Sequence, residues 1–275
     1  MFFFSKMQAT GNDFIVLNNL DNRINYSYKL LSKFLCMNHF SIGADGVIII
    51  ENSKIADCKM RIFNKDGSEA EMCGNGIRCL AKYVYEKGII IKNIIKVETI
   101  AGIKEVFLKI DNKKVSTLKV NMGKIIWDFD KIPVFRTIKT DANVVVIEGL
   151  KIYPLLIGNP HAVCFVDNLK EFDVEKYGRI IENHKYFPQK TNVEFVKIEN
   201  KSKLLIRIWE RGVGETNSCG TGVCAAAAVS NKYKSTKNEL IVETQGGNLS
   251  VCIGDCIELS GGAEFVFEGE INIWR

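Results

Sequence analysis

Several things are missing from this chain, and each absence removes a class of function. No segment reaches the ~18 consecutive apolar residues of a membrane-spanning helix. Lysine and arginine number 37 against 32 acidic residues, a net charge of +5. These cations are scattered, and the nearest approach to a basic run is Asn112-Lys113-Lys114. A nucleic-acid footprint or an anionic membrane surface needs clustering, so neither partner is expected. Histidine is scarce (His39, His161 and His184), and none of the nine cysteines forms a C-x-x-C pair. Cys73 and Cys79 are six apart, Cys219 and Cys224 five, Cys252 and Cys256 four, which gives a structural zinc ion little to bind. The chain also lacks a Rossmann glycine fingerprint, a pyridoxal-type lysine motif and a metal cluster, so chemistry without cofactor or metal is expected.

What remains is ordinary soluble material: 275 residues, 47% hydrophobic, 25% charged, with mean hydropathy +0.02. Two domains fit this length better than one. The opening "MFFF" is too short for a signal-peptide core and no basic residue precedes it, so a reducing cytoplasm is the expected compartment. Most cysteines should then be small buried residues, including Cys164 in "HAVCFV" and Cys252 in "LSVCIG".

Two stretches break that pattern. "EMCGNG" at 71–76 and "NSCGTG" at 217–222 each set a cysteine before two glycines. Their surroundings repeat. In the first half, strands "FFSKMQ" and "FIVLNN" flank a turn at Gly11-Asn12. A helix follows from about Tyr28 to Met37, with Ser27 as N-cap and Leu30, Leu31, Phe34 and Leu35 on one face. Strands "GVIII" and "CKMRIFN" lead to the Cys73 loop and a helix closed by Gly88. In the second half, "KIYPLLI", a turn at Gly158-Asn159, "AVCFV", a helix from about Val174 to Asn183, "NVEFVKI" and "LLIRIWE" lead to the Cys219 loop and the helix "GVCAAAAVSNKY". Cys219 lies 146 residues after Cys73, the same offset that relates "RIFN" at 61–64 to "RIWE" at 207–210 and Glu69 to Glu215. Gly11 and Asn12 match Gly158 and Asn159 one residue further on. The repeat predicts two pseudo-symmetric lobes carrying one device each.

A cysteine at a glycine-rich turn into a helix sits at the positive end of the helix, where the dipole can lower a thiol pKa and the first N–H groups form an anion site. Two such devices across a cleft suit inversion of a stereocentre beside a carboxylate. One thiolate removes the α-proton, the other thiol protonates the opposite face, and the helix termini stabilise charge moving onto the carboxylate.

These motifs resemble the diaminopimelate epimerase family over almost the whole chain: "KMQATGNDFIV", "GADG" at 43–46, "RIFNKDGSEAEMCGNGIRC", "GNPHAV", "TNVEFV" and "ERGVGETNSCGTGVCAAAA". The resemblance implies a cofactor-independent isomerase that interconverts LL- and meso-2,6-diaminopimelate in lysine and cell-wall precursor synthesis. It implies an α+β fold, two pseudo-symmetric lobes of mixed sheet wrapped around a central helix with the active site in the cleft. The lobes would be residues 1–119, joined by a returning final strand at 265–275, and residues 120–264. By position, Cys73 and Cys219 resemble the acid/base pair, while Gly74, Asn75, Gly220 and Thr221 resemble the residues that hold the reacting carboxylate. Asn12, Asn64, Asn159, Asn192, Glu210 and Arg211 resemble the rest of the substrate shell, where an arginine fork suits a distal carboxylate. His161 matches a supporting position beside the pair, and some members carry glutamine where this chain has Gly46.

His39, His184, Asp45 and Glu69 are expected to be structural. Proline racemases share the wider fold but resemble "MCGHG" and "DRSPCGTG" at the two loops, and phenazine-type isomerases lack the cysteine pair. Three rivals stand beside the epimerase reading: a racemase of another amino acid such as histidine, a non-catalytic amino-acid-binding protein, and a cysteine-nucleophile hydrolase. The last predicts a single Cys–His pair, which a repeated cysteine makes awkward. A small amino acid is the expected partner, and a homodimer is compatible with the sequence.

Overall fold

The computed structural model describes residues 1–135 and 144–272. The chain forms two compact units, one of Met1–Val120 with the segment from Ser260 onward, the other of Asn121–Leu259.

The first unit contains β1 (Phe2–Ala9), β2 (Asn12–Asn18), α1 (Tyr28–Leu35), β3 (Gly46–Glu51), β4 (Cys58–Asn64), β5 (Glu69–Ala70), α2 (Gly74–Glu86), β6 (Ile94–Thr99), β7 (Gly102–Asp111) and β8 (Lys114–Gly123). Two pairings are parallel, β2 with β3 and β4 with β6. The neighbouring pairs β1/β2, β3/β4, β4/β5, β6/β7 and β7/β8 are antiparallel. A parallel step needs a crossover, and α1 and α2 supply them.

The second unit repeats the plan with β9 (Val145–Ile147), β10 (Leu150–Ile157), β11 (Asn159–Phe165), α3 (Val174–Glu182), β12 (Asn192–Asn200), β13 (Lys203–Glu210), β14 (Gly214–Thr216), α4 (Gly220–Lys234), β15 (Glu239–Thr244) and β16 (Gly247–Ile253). Here the parallel steps are β11/β12 and β13/β15, crossed by α3 and α4. Strand β17 (Ile257–Gly261) precedes β18 (Glu264–Ile271), which pairs antiparallel with β1. The end of the expected final strand, residues 273–275, lies outside the described residues.

Each Cys-bearing helix is the buried element of its unit. α2 packs on β1, β2, β3, β4 and β7, and α4 on β10, β11, β12, β13, β15 and β16. Every residue of α4 from Gly222 to Ser230 is buried, as an all-round apolar helix requires. Its Ala225–Ala228 run lets strands approach closely. Gly88 (φ 69°) follows the C-cap of α2, where the left-handed conformation is cheapest for glycine.

Other local expectations need correction. α1 stops at Leu35 with Cys36 as its C-cap, and the Ser27 side chain makes no capping bond. Leu31 and Leu35 are buried but Leu30 is 66% exposed, because the apolar stripe meets the core along its 31/34/35 edge. α3 ends at Glu182 with Asn183 as C-cap. All nine cysteines are free; Cys164 is buried, whereas Cys252 is half-buried near the end of β16. Burial pushes Cys36, Cys58, Cys79 and Cys164 up to about 12. Among the described residues no helix is long and apolar enough to cross a membrane.

The largest fully buried side chain is Arg78 on α2. Its guanidinium donates to Gly74 O (3.1 Å), Asn75 Oδ1 (3.0 Å), Thr10 Oγ1 (3.2 Å) and Gly262 O (3.1 Å). It thereby ties the first turn of α2 to the β1–β2 turn and to the segment entering β18. Thr10 has φ 50°, unusual for a non-glycine residue, and this bond helps fix it. Arg78→Met keeps most of the volume but strands these acceptors. The expected cost is about 3 kcal/mol, a fall of roughly 6–12 °C in the melting temperature, read by calorimetry; an unchanged midpoint would show that the network is incidental.

Candidate active site

Cys73 and Cys219 occupy the same structural position, the N-cap of α2 and of α4, with φ/ψ of −138°/121° and −130°/119°. In both helices the first intrahelical bond runs to the cysteine carbonyl, from Ile77 N–H and from Val223 N–H. The N–H groups that precede them, at Gly74 and Asn75 in one helix and at Gly220 and Thr221 in the other, have no intrahelical acceptor, and the first turn of a helix favours an anion. The glycines are also required by packing. A Cβ on Gly76 would stand 3.0 Å from Ile62 Cδ1, and one on Gly222 would stand 2.8 Å from Glu194 Oε1.

The strand pairs leading to each loop are fastened identically. Arg61 grips Glu69 through two bonds of 2.7 and 2.8 Å, and Arg207 grips Glu215 through two of 2.7 and 2.9 Å. Such forks fix geometry as well as contributing energy. Glu69 is therefore a structural carboxylate.

Around Cys73, the sulfur accepts from Gly76 N–H (3.4 Å), and the thiol donates to Asn12 Oδ1 (3.8 Å). Asn75 Nδ2 donates to the same Asn12 oxygen at 3.4 Å. Asn12 is oriented by Asp45, whose carboxylate accepts from Asn12 Nδ2 at 2.7 Å and from Asp13 N–H at 3.1 Å. Asp13 in turn pairs with the buried Lys6 at 2.6 Å. Asn64 is exposed and donates to Ser68 Oγ at 3.0 Å. Gly46 faces it across β3/β4, and a Cβ there would meet Phe63 O at 2.8 Å, so a longer residue would need a shifted backbone.

Around Cys219, Thr221 Oγ1 lies 3.4 Å from the sulfur. Burial pushes this thiol well above its ordinary value; the Glu210 and Glu194 charges add to the effect, and the Thr221 and Gly222 hydrogen bonds oppose it. The sequence expectation that a helix terminus lowers a thiol pKa thus fails at Cys219, because desolvation and two carboxylates outweigh half a unit of dipole charge. Glu210 Oε1 accepts from Thr216 Oγ1 at 2.6 Å. Asn192 is buried, with a bond at each end of its amide: Nδ2 donates to Pro160 O (2.9 Å) and Oδ1 accepts from Arg211 N–H (3.0 Å). It therefore positions the backbone of Arg211, whose exposed side chain also reaches Gln189 O at 3.1 Å. His161 is wholly buried between Glu194 Oε1, 2.7 Å from Nδ1, and Asn159 Oδ1, 2.7 Å from Nε2.

Sequence reasoning missed Arg78 and Glu194. The signal for Glu194 was one carboxylate inside the apolar run "NVEFV". Arg78 gave no such signal, since an arginine on a helix normally faces water. No group of three or more potential metal ligands occurs among the described residues.

The sequence pattern of the Diaminopimelate epimerase family matches residues 4–127 and 154–260. The chain belongs to the diaminopimelate epimerase family. A relative named diaminopimelate epimerase from Caldanaerobacter subterraneus is 45% identical over 98% of this chain and 99% of its own length. One of the same name from Alkaliphilus metalliredigens is 42% identical over 97% and 96%. The two-lobed epimerase fold extends to distant structures. A phenazine biosynthesis protein of the PhzF family from Bacillus anthracis superposes with a TM-score of 0.72 at 18% identity, covering 99% of each chain.

The raised Cys219 pKa has a direct readout. The rate of Cys219 carbamidomethylation, mapped by peptide mass spectrometry, should rise about tenfold per pH unit from pH 7 to 9 without levelling, because the thiolate is the nucleophile. A plateau below pH 9 would mean that the helix terminus outweighs burial.

Proposed function

We infer that this member of the diaminopimelate epimerase family is an isomerase interconverting LL- and meso-2,6-diaminopimelate, in the supply of lysine and peptidoglycan precursors. Near-full-length similarity to relatives of that name supports the substrate. The observation that carries the mechanism is the repeated placement of a thiol at the N-cap of a buried helix, once in each unit.

In the proposed mechanism Cys73 and Cys219 are the two bases. One thiolate takes the α-proton: the Cα–H bond breaks, an S–H bond forms, and the electron pair delocalises into the adjacent carboxylate. The other thiol gives its proton to the opposite face, restoring Cα–H with inverted configuration and leaving a thiolate. The N–H groups of Gly74, Asn75, Gly220 and Thr221 hold the carboxylate and stabilise its growing charge. Cys219, kept protonated by its surroundings, starts as the donor, and Cys73, whose sulfur already accepts the Gly76 N–H, starts as the acceptor. Reversal of the roles returns the product. No step calls on a cofactor.

The distal amino-acid end is read by Asn64, Asn159, Glu210 and Arg211, with Asn192 holding Arg211 in place and Asn12 set against Cys73. Glutamate accepts from the ammonium group and arginine receives the carboxylate. His161 supports the pair from a buried site.

The test follows deuterium entry at Cα together with stereochemistry, for LL- and meso-diaminopimelate separately, in deuterated buffer with reduced protein. The expected result is inversion with solvent label in the wild type, and loss of inversion by at least ~10³-fold in Cys73→Ala and in Cys219→Ala, since each removes an obligatory proton carrier. Label entering another amino acid but neither diaminopimelate isomer would keep the two-thiol mechanism and overturn the substrate. Inversion that survives either substitution would overturn the mechanism.

A further inference from the structure

The internal repeat supplies a control for the buried polar groups of the second unit. In the parallel pair β2/β3, Phe14 is in register with Gly46 and Val16 with Ile48. In the equivalent pair β11/β12, His161 is in register with Asn192 and Val163 with Glu194. His161 therefore stands where the first unit has Phe14, and Glu194 where it has Ile48. The helix glycines agree: the Cβ position of Gly76 faces Ile48 Cδ1 at 3.3 Å, and that of Gly222 faces Glu194 Oε1 at 2.8 Å. Phe14 and Ile48 are both buried, at 3% and 0% exposure. The strand–helix sandwich is thus built in the first unit with two apolar side chains, and in the second with an ionisable pair at 0% exposure.

That exchange has a cost. Glu194 Oε2 is buried without a hydrogen-bond partner, and burial drives the Glu194 carboxyl upward against the pull of His161. Buried polar groups of this kind stabilise a fold less well than apolar residues of similar volume. Their presence calls for a reason outside folding.

We propose that Glu194 is a positioning residue which, through His161, fixes the side-chain amide of Asn159 with its carbonyl turned inward and its NH2 presented to the substrate. The contacts of His161 require a proton on Nε2. Asn159 Oδ1 can only accept, so His161 Nε2 carries a proton. Nδ1 lies 2.7 Å from Glu194 Oε1, and that contact must hold a proton too. Whether the latter sits on nitrogen or oxygen, Nε2 remains a donor. Remove the carboxyl group and neither tautomer of the imidazole is imposed; with Nε2 unprotonated, the Asn159 amide would turn over and offer its oxygen instead of its NH2. The half-exposed Asn159 is the end of a three-residue chain anchored beneath α4. The consequence for substrate rests on the proposed diaminopimelate reading, while the orientation itself does not.

The experiment compares Glu194→Gln and Glu194→Ile, the latter installing the residue that the first unit carries. Wild type and both variants are labelled with 15N-histidine, and long-range proton–nitrogen correlation spectra assign the protonation of each His161 nitrogen. KM and kcat for diaminopimelate are measured on the same samples. Glutamine can donate its NH2 to Nδ1, so E194Q should keep a protonated Nε2 and a KM within about threefold of wild type. E194I should lose the single tautomer and raise KM at least tenfold, with a smaller change in kcat. An unprotonated Nε2 in the wild type or in E194Q overturns the proposal, as does an E194I spectrum identical to wild type with the same KM. If E194I fails to fold, the E194Q spectrum still decides. Asn159→Ala separates the two readings. An unchanged KM in that variant would remove the substrate contact at Asn159, while the His161 spectra judge the orienting chain independently.

Discussion

Everything in this structure is arranged around one constraint: a thiol must sit at the first turn of a helix whose backbone is pressed against a sheet. The cysteine backbone is extended at both N-caps, so the backbone turns from extended to helical at that one residue. Glycines at 76 and 222 remove side chains where the helix would otherwise meet the sheet, at Ile62 and Ile48 in one unit and at Glu194 in the other. The Arg61–Glu69 and Arg207–Glu215 forks hold the incoming strands. The helices are buried because a terminus that must stay fixed cannot be left to fray.

Duplication provides two such devices, but a substrate with one reacting end and one address end cannot be met by two identical halves. The repeat is broken at a few positions, most of them buried. Arg78 in α2 corresponds to Cys224 in α4, Phe14 and Ile48 to His161 and Glu194, and Asn64 to Glu210. None of these exchanges alters strand order or the two parallel steps. Each alters charge or hydrogen bonding near a helix start. The fold is therefore tolerant of what differs, and the differences act on the chemistry of the two helix starts.

The sequence made the repeat legible because offset matches at arginine, glutamate, cysteine and glycine do not depend on tertiary contacts. Helix and strand order followed from periodicity, and both cysteines were placed at helix starts from their glycines alone. What escaped notice depends on which way a surface turns in the folded unit. Leu30 shares the apolar stripe of α1 with Leu31, Phe34 and Leu35, yet it stays exposed while those three pack on the core. Ser27 stands at the right place to cap, but its side chain does not. The composition of "NVEFV" is that of an apolar strand, and nothing local says that Glu194 faces a histidine and a glycine. The resemblance implies a substrate-shell role for Asn192; the structure adds that its amide donates to Pro160 O and accepts from Arg211 N–H.

The thiol chemistry shows most clearly why local motifs were insufficient. A helix terminus offers about half a positive charge, and by itself this favours a thiolate at either cysteine. In a poorly solvated site a full charge nearby outweighs it. The first unit places the Arg78 guanidinium beneath the first turn of α2, bonded to Gly74 O. In the second, burial raises Cys219, and two carboxylates, Glu210 and Glu194, add to the rise. A proposed two-thiol mechanism needs its members to begin in opposite protonation states, with one proton between them. Two identical helix termini would not create that inequality. A guanidinium at one helix start and carboxyl groups at the other, set into an otherwise repeated scaffold, give the two helix starts different electrostatics.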